Sequence, residues 1–199
     1  MTKIKLCGLS RVEDIETANI LLPEFVGFVF YEKSRRYISP QKAAALKNIL
    51  DKKISAVGVF VNEKISTVAE IAKFLDFIQL HGDEDDNYIS TLRNFTDKKI
   101  IQAFKIKKAE DLQRAQNSRA DFILLDSGAG TGEIFNWQLL KNFEREYFLA
   151  GGLTVENVSA AVKDLKPFAV DVSSGIETGG LKDSAKMKKF VDIVRSENL

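Results

Sequence analysis

The feature of this chain that most limits its fold is a recurrence: short apolar, β-rich runs begin at Ile4, Phe25, Ala56, Phe77, Ile100, Phe122, Phe148 and Phe168, spaced 20 to 31 residues apart. The runs themselves (IKLC, FVGFVF, AVGVFV, FIQL, IIQAF, FILLD, FLAG and FAVDV) are almost continuously apolar. Parallel strands covered on both faces read this way, whereas a sheet with one wet face alternates apolar and polar residues. Between the runs, apolar residues fall at helical spacing. Val12, Ile15 and Ala18 form one such stripe, followed by Ile65, Val68, Ala69 and Ala72, and by Ile89, Leu92 and Phe95. Val155, Val158, Ala161, Val162 and Leu165 form another, and Met187, Phe190, Val191 and Val194 the last. Each has Lys, Asp or Glu on the remaining positions, the pattern of helices that cover a core on one side. Ser39-Pro40, Thr154 and Asp183 supply start signals for the second, seventh and last helices.

Eight strands alternating with eight helices, with no Gly/Ser/Pro-rich linker, predict an α/β protein: a single (β/α)8 TIM barrel spanning residues 1–199. The chain is near the lower size limit of about 200 residues for that fold, so most loops must be short. An open doubly wound sheet is the alternative if FIQL or FLAG is not a strand.

Composition narrows the partners. The formal net charge is +1, from 29 Lys plus Arg against 28 Asp plus Glu, so no basic excess advertises nucleic acid. No apolar run reaches the ~18 residues of a membrane span, and MTKIKLCGLS reads as neither a signal nor a transit sequence. One Cys and one His rule out a disulfide framework and a thiolate-rich zinc site. The expectation is a cytoplasmic protein with no metal, acting on a small molecule; a monomer and a homodimer both remain open.

In a barrel the C-terminal ends of the strands build the active site. Here those ends read Cys7-Gly8, Val61-Asn62, His81-Gly82, Asp126-Ser127-Gly128, Ala150-Gly151-Gly152 and Asp171-Val172-Ser173-Ser174-Gly175. Asp126, ahead of SGAGTGEIF, is either a turn cap or a proton donor beside a loop able to close over a ligand. Cys7 is either a small buried hydrophobe or a thiol base. His81 is a structural hydrogen-bonding residue or a member of the site. The turns AGGLT and SSGIE, the second able to open a short helical turn, offer glycine and backbone amides suited to a phosphate. In YEKSRRYISP, Lys33, Arg35 and Arg36 flank the mouth, and an inward guanidinium would hold a planar carboxylate with two parallel hydrogen bonds.

Seven segments in order carry a resemblance across essentially the whole chain. They are KLCGL at 5 to 9, GFVF with SRRYISP from Gly27 to Pro40, VGVFVN at 57 to 62, QLHGDE at 79 to 84, LLDSGAGTGEIFNW from Leu124 to Trp137, LAGGLTVENV at 149 to 158 and DVSSGIETGGLKD at 171 to 183. The chain resembles the phosphoribosylanthranilate isomerases of tryptophan biosynthesis. The resemblance implies a cofactor-free Amadori rearrangement of N-(5-phosphoribosyl)anthranilate to 1-(2-carboxyphenylamino)-1-deoxyribulose 5-phosphate. It implies Asp126 as the general acid that opens the ribose ring and Cys7 as the general base that takes the C2 proton. It further implies Arg36, rather than Arg35, on the anthranilate carboxylate, with phosphate on Gly151, Gly152, Ser173, Ser174 and Gly175. His81 and Asp171 match the mouth of the family's site, Asp171 in positioning or proton movement. Asn136 stands where the family more often has Asp, an exchange suited to a helix cap. A different sugar-phosphate barrel isomerase, or a barrel that binds without turnover, are the other readings; the thiol ending the first strand, where a paired-Asp enzyme would carry Asp, favours the first.

Overall fold

A computed structural model describes residues 1–126, 140 and 143–198. Eight parallel strands close on themselves in chain order: β1 (Lys3–Cys7), β2 (Phe25–Val29), β3 (Ser55–Phe60), β4 (Phe77–Leu80), β5 (Lys99–Lys105), β6 (Phe122–Asp126), β7 (Tyr147–Ala150) and β8 (Ala169–Val172). The closed barrel, not the open sheet, is the fold, and both FIQL and FLAG contribute strands. Among the described residues the covering helices are α1 (Val12–Leu21), α2 (Pro40–Ile49), α3 (Ile65–Ala72), α4 (Asp86–Leu92), α5 (Ala109–Asn117), α6 (Val158–Leu165) and α7 (Ser184–Ser196). The expected helix between β6 and β7, the loop after Asp126 and the Asn136 cap lie outside the described residues.

Period-two alternation decides which side chains fill the barrel. Ile4, Leu6, Val26, Phe28, Val170 and Val172 point outward into the main apolar cluster beneath the helices. Phe25, Val57, Ile101, Leu124, Phe148 and Ala169 form a separate cluster inside. At its floor, Phe25, Phe77, Phe122 and Phe168 come from the even-numbered strands or the residue before them. Their rings meet in a closed circuit, with centroids 5.4 Å (Phe25–Phe77), 6.1 Å (Phe77–Phe122), 5.2 Å (Phe122–Phe168) and 6.5 Å (Phe168–Phe25) apart. This is one layer of four side chains from alternate strands, with Phe148 lying on it, 5.3 Å from Phe25 and 5.4 Å from Phe168.

The residue before three of those phenylalanines is acidic, and each carboxylate accepts from the first backbone amides of the preceding odd strand. Glu24 takes Ile4 N at 2.8 Å, Asp76 takes Ala56 N at 2.7 Å and Asp121 takes Ile100 N at 2.9 Å. An acid followed by Phe therefore plugs the floor and satisfies the strand beside it.

Several local expectations shift. Ser39 and Asp183 cap α2 and α7, Ser39 accepting from Lys42 N and Asp183 from Ala185 N and Lys186 N. Thr154 does not cap α6: Asn157 is the residue before it, and Thr154 opens a turn whose carbonyl accepts from Asn157 N and Val158 N. Phe95 lies past the end of α4 and is exposed, and Val12 is half exposed on α1, so neither belongs to its covering stripe. After β8 two successive i→i+3 bonds, from Ile176 N to Ser173 O and from Glu177 N to Ser174 O, make the short helical turn expected at SSGIE, and a small antiparallel hairpin, β9 (Glu177–Thr178) and β10 (Leu181–Lys182), follows it.

The inner cluster generates a stability prediction. Phe148 is fully buried, and Phe148→Ala is expected to cost ~3–5 kcal/mol of unfolding free energy, measured by urea denaturation; a loss under about 1 kcal/mol would show that the floor repacks freely.

Candidate active site

The strand register stacks the interior into layers above the phenylalanine floor. Lys5 pairs laterally with both Phe25 and Asp171, which places it among the floor's neighbours rather than at the mouth. Two residues further along β1, Cys7 reaches the rim, and His81, Asp126 and Ser173 occupy the corresponding ends of β4, β6 and β8.

A cavity of about 400 Å³ opens at this end, within the range of small-molecule sites. Cys7, Arg36, His81, Asp126, Gly151, Gly152, Asp171, Ser173 and Ser174 all line it, with Tyr31 and Gln79. Nine of the ten site residues expected from the sequence therefore converge there. The tenth, Gly175, is set behind the lining: it bridges Thr154 in parallel fashion, and a Cβ on it would lie 2.0 Å from the Leu153 carbonyl oxygen. Only glycine lets the loops after β7 and β8 press together there. Larger hollows of about 690 and 680 Å³ lie around Met1 and Lys166 at the opposite end and between α3 and α4, but neither gathers a thiol, a histidine or glycine turns. Chemistry, not size, singles out the smaller cavity.

Gly151 and Gly152 follow β7 with φ of 92° and 65°, a region that disfavours side chains. Asn157 pins this turn: its Oδ1 accepts from Thr154 N at 2.8 Å and its Nδ2 donates to Gly152 O at 2.9 Å. Across from it, Ser173 Oγ donates to the Cys7 carbonyl at 3.0 Å, joining the loop after β8 to the end of β1.

Acid and base sit on this frame. Cys7 is free and buried, and burial pushes its thiol pKa above the ordinary 9.0 even though the ammonium groups of Lys5 and Lys182 pull the other way. Asp126 faces His81, with Oδ2 3.4 Å from Nε2. The Gln79 side-chain amide and His81 Nδ1 are hydrogen-bonded at 2.8 Å, which fixes the imidazole ring with its other nitrogen toward Asp126. Asp171 accepts from the fully buried Lys5 Nζ at 2.9 Å.

At the mouth one carboxylate gathers three cations. Glu177 accepts from Arg36 Nε at 2.6 Å and Nη2 at 3.2 Å, from Arg35 Nη2 at 2.7 Å and from Lys182 Nζ at 2.8 Å. The Arg36 side chain is 23% exposed and lines the cavity, whereas that of Arg35 is 61% exposed and does not. Lys33 is exposed. Lys182 also donates to Ser173 O at 2.9 Å, and burial lowers its pKa below the ordinary 10.5. The sequence reading missed Lys5, Gln79, Asn157, Glu177 and Lys182. A signal existed for the last two, since Gly179-Gly180 between Thr178 and Leu181 marks a tight hairpin that would pair their neighbours.

Among the described residues no group of three or more His, Cys, Asp or Glu is arranged to hold a metal ion. The arrangement instead offers a thiol and a carboxyl on two sides of one cavity, a guanidinium at its mouth and a glycine- and serine-lined end.

Comparison with known proteins agrees in length and in fold. The sequence pattern of the family described as N-(5'phosphoribosyl)anthranilate (PRA) isomerase matches residues 4–193. An N-(5'-phosphoribosyl)anthranilate isomerase of Thermoanaerobacter sp. (strain X514) is 47% identical, covering 98% of both chains. A crystal structure of a phosphoribosyl anthranilate isomerase in complex with reduced 1-(o-carboxyphenylamino)-1-deoxyribulose 5-phosphate superposes with a TM-score of 0.89 at 36% identity, covering 98% of this chain and 100% of that one. A structure of mutually generated monomers of the dimeric enzyme from Thermotoga maritima gives a TM-score of 0.88 at 36% identity, with the same coverage.

Glu177 supplies a test of the electrostatics. Burial works against its charge, yet the bonds from Arg36 and Lys182 outweigh it and hold its pKa below the ordinary 4.5. A depressed carboxyl contributes stability that is present above its unfolded pKa and lost as pH falls through the folded one. Between about pH 5 and pH 3, the unfolding free energy of Glu177→Gln should therefore fall less steeply than that of the parent in urea titrations; parallel slopes would contradict the coupling.

Proposed function

This chain belongs to the N-(5'-phosphoribosyl)anthranilate isomerase family, and on that premise we propose how its own residues divide the work. The enzyme isomerises N-(5'-phosphoribosyl)anthranilate, an aminoaldose, to the aminoketose 1-(2-carboxyphenylamino)-1-deoxyribulose 5-phosphate in tryptophan biosynthesis. Asp126 delivers a proton to the furanose oxygen, and the ring opens to a protonated Schiff base. The iminium nitrogen then withdraws electrons from C2, so a modest base suffices to remove the C2 proton. Cys7 is that base, and the resulting enolamine tautomerises to the ketone. His81, whose Nε2 faces Asp126, orients the acid. Asp171, tied to Lys5, serves positioning rather than proton transfer.

The observation that carries this reading is convergence: Cys7 from β1 and Asp126 from β6 line one cavity together with Arg36, Gly151, Gly152, Ser173 and Ser174. The substrate has the matching three parts, an aromatic carboxylate for Arg36, a pentose for the acid and base, and a phosphate for the loops after β7 and β8. Gly175 contributes through the packing of those loops. Glu177 engages Arg36 through Nε and one Nη2 hydrogen, which leaves the Nη1 end to meet the carboxylate. We further infer that residues 1–199 act as one catalytic domain, and that the enzyme works in the cytoplasm, where its one unpaired Cys7 stays reduced.

Steady-state kinetics, followed by the loss of substrate fluorescence, test these roles. Asp126→Asn should lower kcat by roughly 10²- to 10⁴-fold with substrate still bound, and Cys7→Ala should largely abolish turnover while the barrel stays folded. A fully active variant of either would remove that residue from the chemistry. Arg36→Ala should chiefly raise KM, by an amount equivalent to ~1.5–3 kcal/mol; an unaltered KM would show that the carboxylate is held elsewhere.

A further inference from the structure

The most unusual residue in the barrel interior is not at the mouth. Lys5 is 0% exposed, one of the largest fully buried side chains among the described residues, and it lies on the inward face of β1, paired laterally with Phe25 and Asp171. Among the described residues its ammonium has one carboxylate partner, Asp171 at 2.9 Å, directly across the β1–β8 ladder. Burying such a pair is unfavourable compared with packed apolar side chains of similar volume, and every other role the fold asks of this position could be met by leucine or methionine. The pair therefore calls for a purpose beyond stability.

Cys7 lies two residues along the strand on the same face, and its thiol lines the cavity together with Asp171, the partner of that ammonium. We propose that Lys5 is a positioning residue for the reaction, a buried cation, itself anchored by Asp171, that eases the ionisation of the Cys7 sulfur against the penalty of its burial. The inference rests on the reading of Cys7 as the base. The walls around the sulfur support it. Gly27, Val29 and Val59 on β2 and β3 offer it no charge, and a Cβ at Gly27 would lie 2.7 Å from Sγ. The charged or titratable groups around it are Lys5 on its own strand and Lys182 on β10, and, lining the cavity with it, Tyr31 and Arg36 in the loop after β2, His81 and Asp126 at the ends of β4 and β6, and Asp171 on β8. Burial is the largest influence on the thiol and opposes ionisation; Lys5 is the largest influence that favours it, ahead of both Asp171, which opposes, and Lys182, which assists. Lys5 in turn stays charged because Asp171 and Cys7 together outweigh the penalty of its burial. Asp171 thus serves the base through Lys5.

The chain has one cysteine, so iodoacetamide alkylation across a pH series, read by intact mass, reports the ionisation of Cys7 alone. In Lys5→Met the alkylation rate at a fixed near-neutral pH should fall about tenfold or more, with its midpoint displaced to higher pH. Lys5→Met/Asp171→Asn, which removes both charges and leaves no unpaired buried ion, should move the midpoint in the same direction and guards against a single variant that fails to fold. The pH dependence of kcat/KM should shift with the alkylation midpoint. An unmoved midpoint in a variant that unfolds as cooperatively as the parent overturns the proposal. A moved midpoint with an unmoved kcat/KM profile upholds the coupling of Lys5 to the thiol and overturns Cys7 as the base.

Discussion

Everything functional in this protein hangs on the closure of eight parallel strands in a single register. Closure forces inward-facing residues into layers, and the layers decide what each strand end can meet. A residue at the end of β1 and another at the end of β6 have no local reason to be near one another, being 119 positions apart in the chain. The barrel makes them neighbours around one opening. The floor of phenylalanines is the apolar counterweight: Phe25, Phe77, Phe122, Phe148 and Phe168 fill the lower interior with hydrocarbon, and this lets the upper interior carry charges that a smaller core would not tolerate.

Those charges are not scattered. Lys5 and Asp171 lie in the middle of the barrel, Cys7 above them, and the Glu177 cluster with Arg35, Arg36 and Lys182 around the mouth. Lys182 links the two groups through Ser173, whose hydroxyl in turn holds the Cys7 carbonyl. Lys182 therefore couples the mouth to Cys7 in two ways: its charge favours ionisation of the thiol, and its bond to Ser173 ties it to the end of β1. The hairpin of β9 and β10 matters for this reason: it delivers Glu177 and Lys182 to the site from a segment that is otherwise a connection between β8 and α7.

Much of this could be read from the chain, for identifiable reasons. The strands were legible because parallel strands need continuous apolar runs, and the strand ends were legible because glycines and small hydroxyls are concentrated there together with the one Cys and the one His. Helix stripes were legible where the helix continued long enough to repeat, as in α7; Phe95 misled because apolar spacing continued past the last turn of α4. Thr154 and Asn157 are both cap-forming types three residues apart, and only the turn geometry selects Asn157. The buried ion pair was illegible: Lys5 in KIKLC reads as an ordinary alternation of charge and hydrophobe, and its partner is 166 residues away. Likewise the glycines after β7 and β8 looked alike in sequence, while packing separates Gly151 and Gly152, which line the cavity, from Gly175, which lets one loop rest on another.

The most direct test of the account is a crystal structure with the reduced product, 1-(o-carboxyphenylamino)-1-deoxyribulose 5-phosphate, bound. The account predicts Cys7 Sγ and an Asp126 carboxyl oxygen on the two sides of the pentose chain, each within about 3.5 Å of the carbon or oxygen it serves, with the phosphate against Gly152 and Ser173 and the carboxylate on Arg36. A ligand seated with its pentose beyond the reach of either group, or with its phosphate at Arg36, would contradict it.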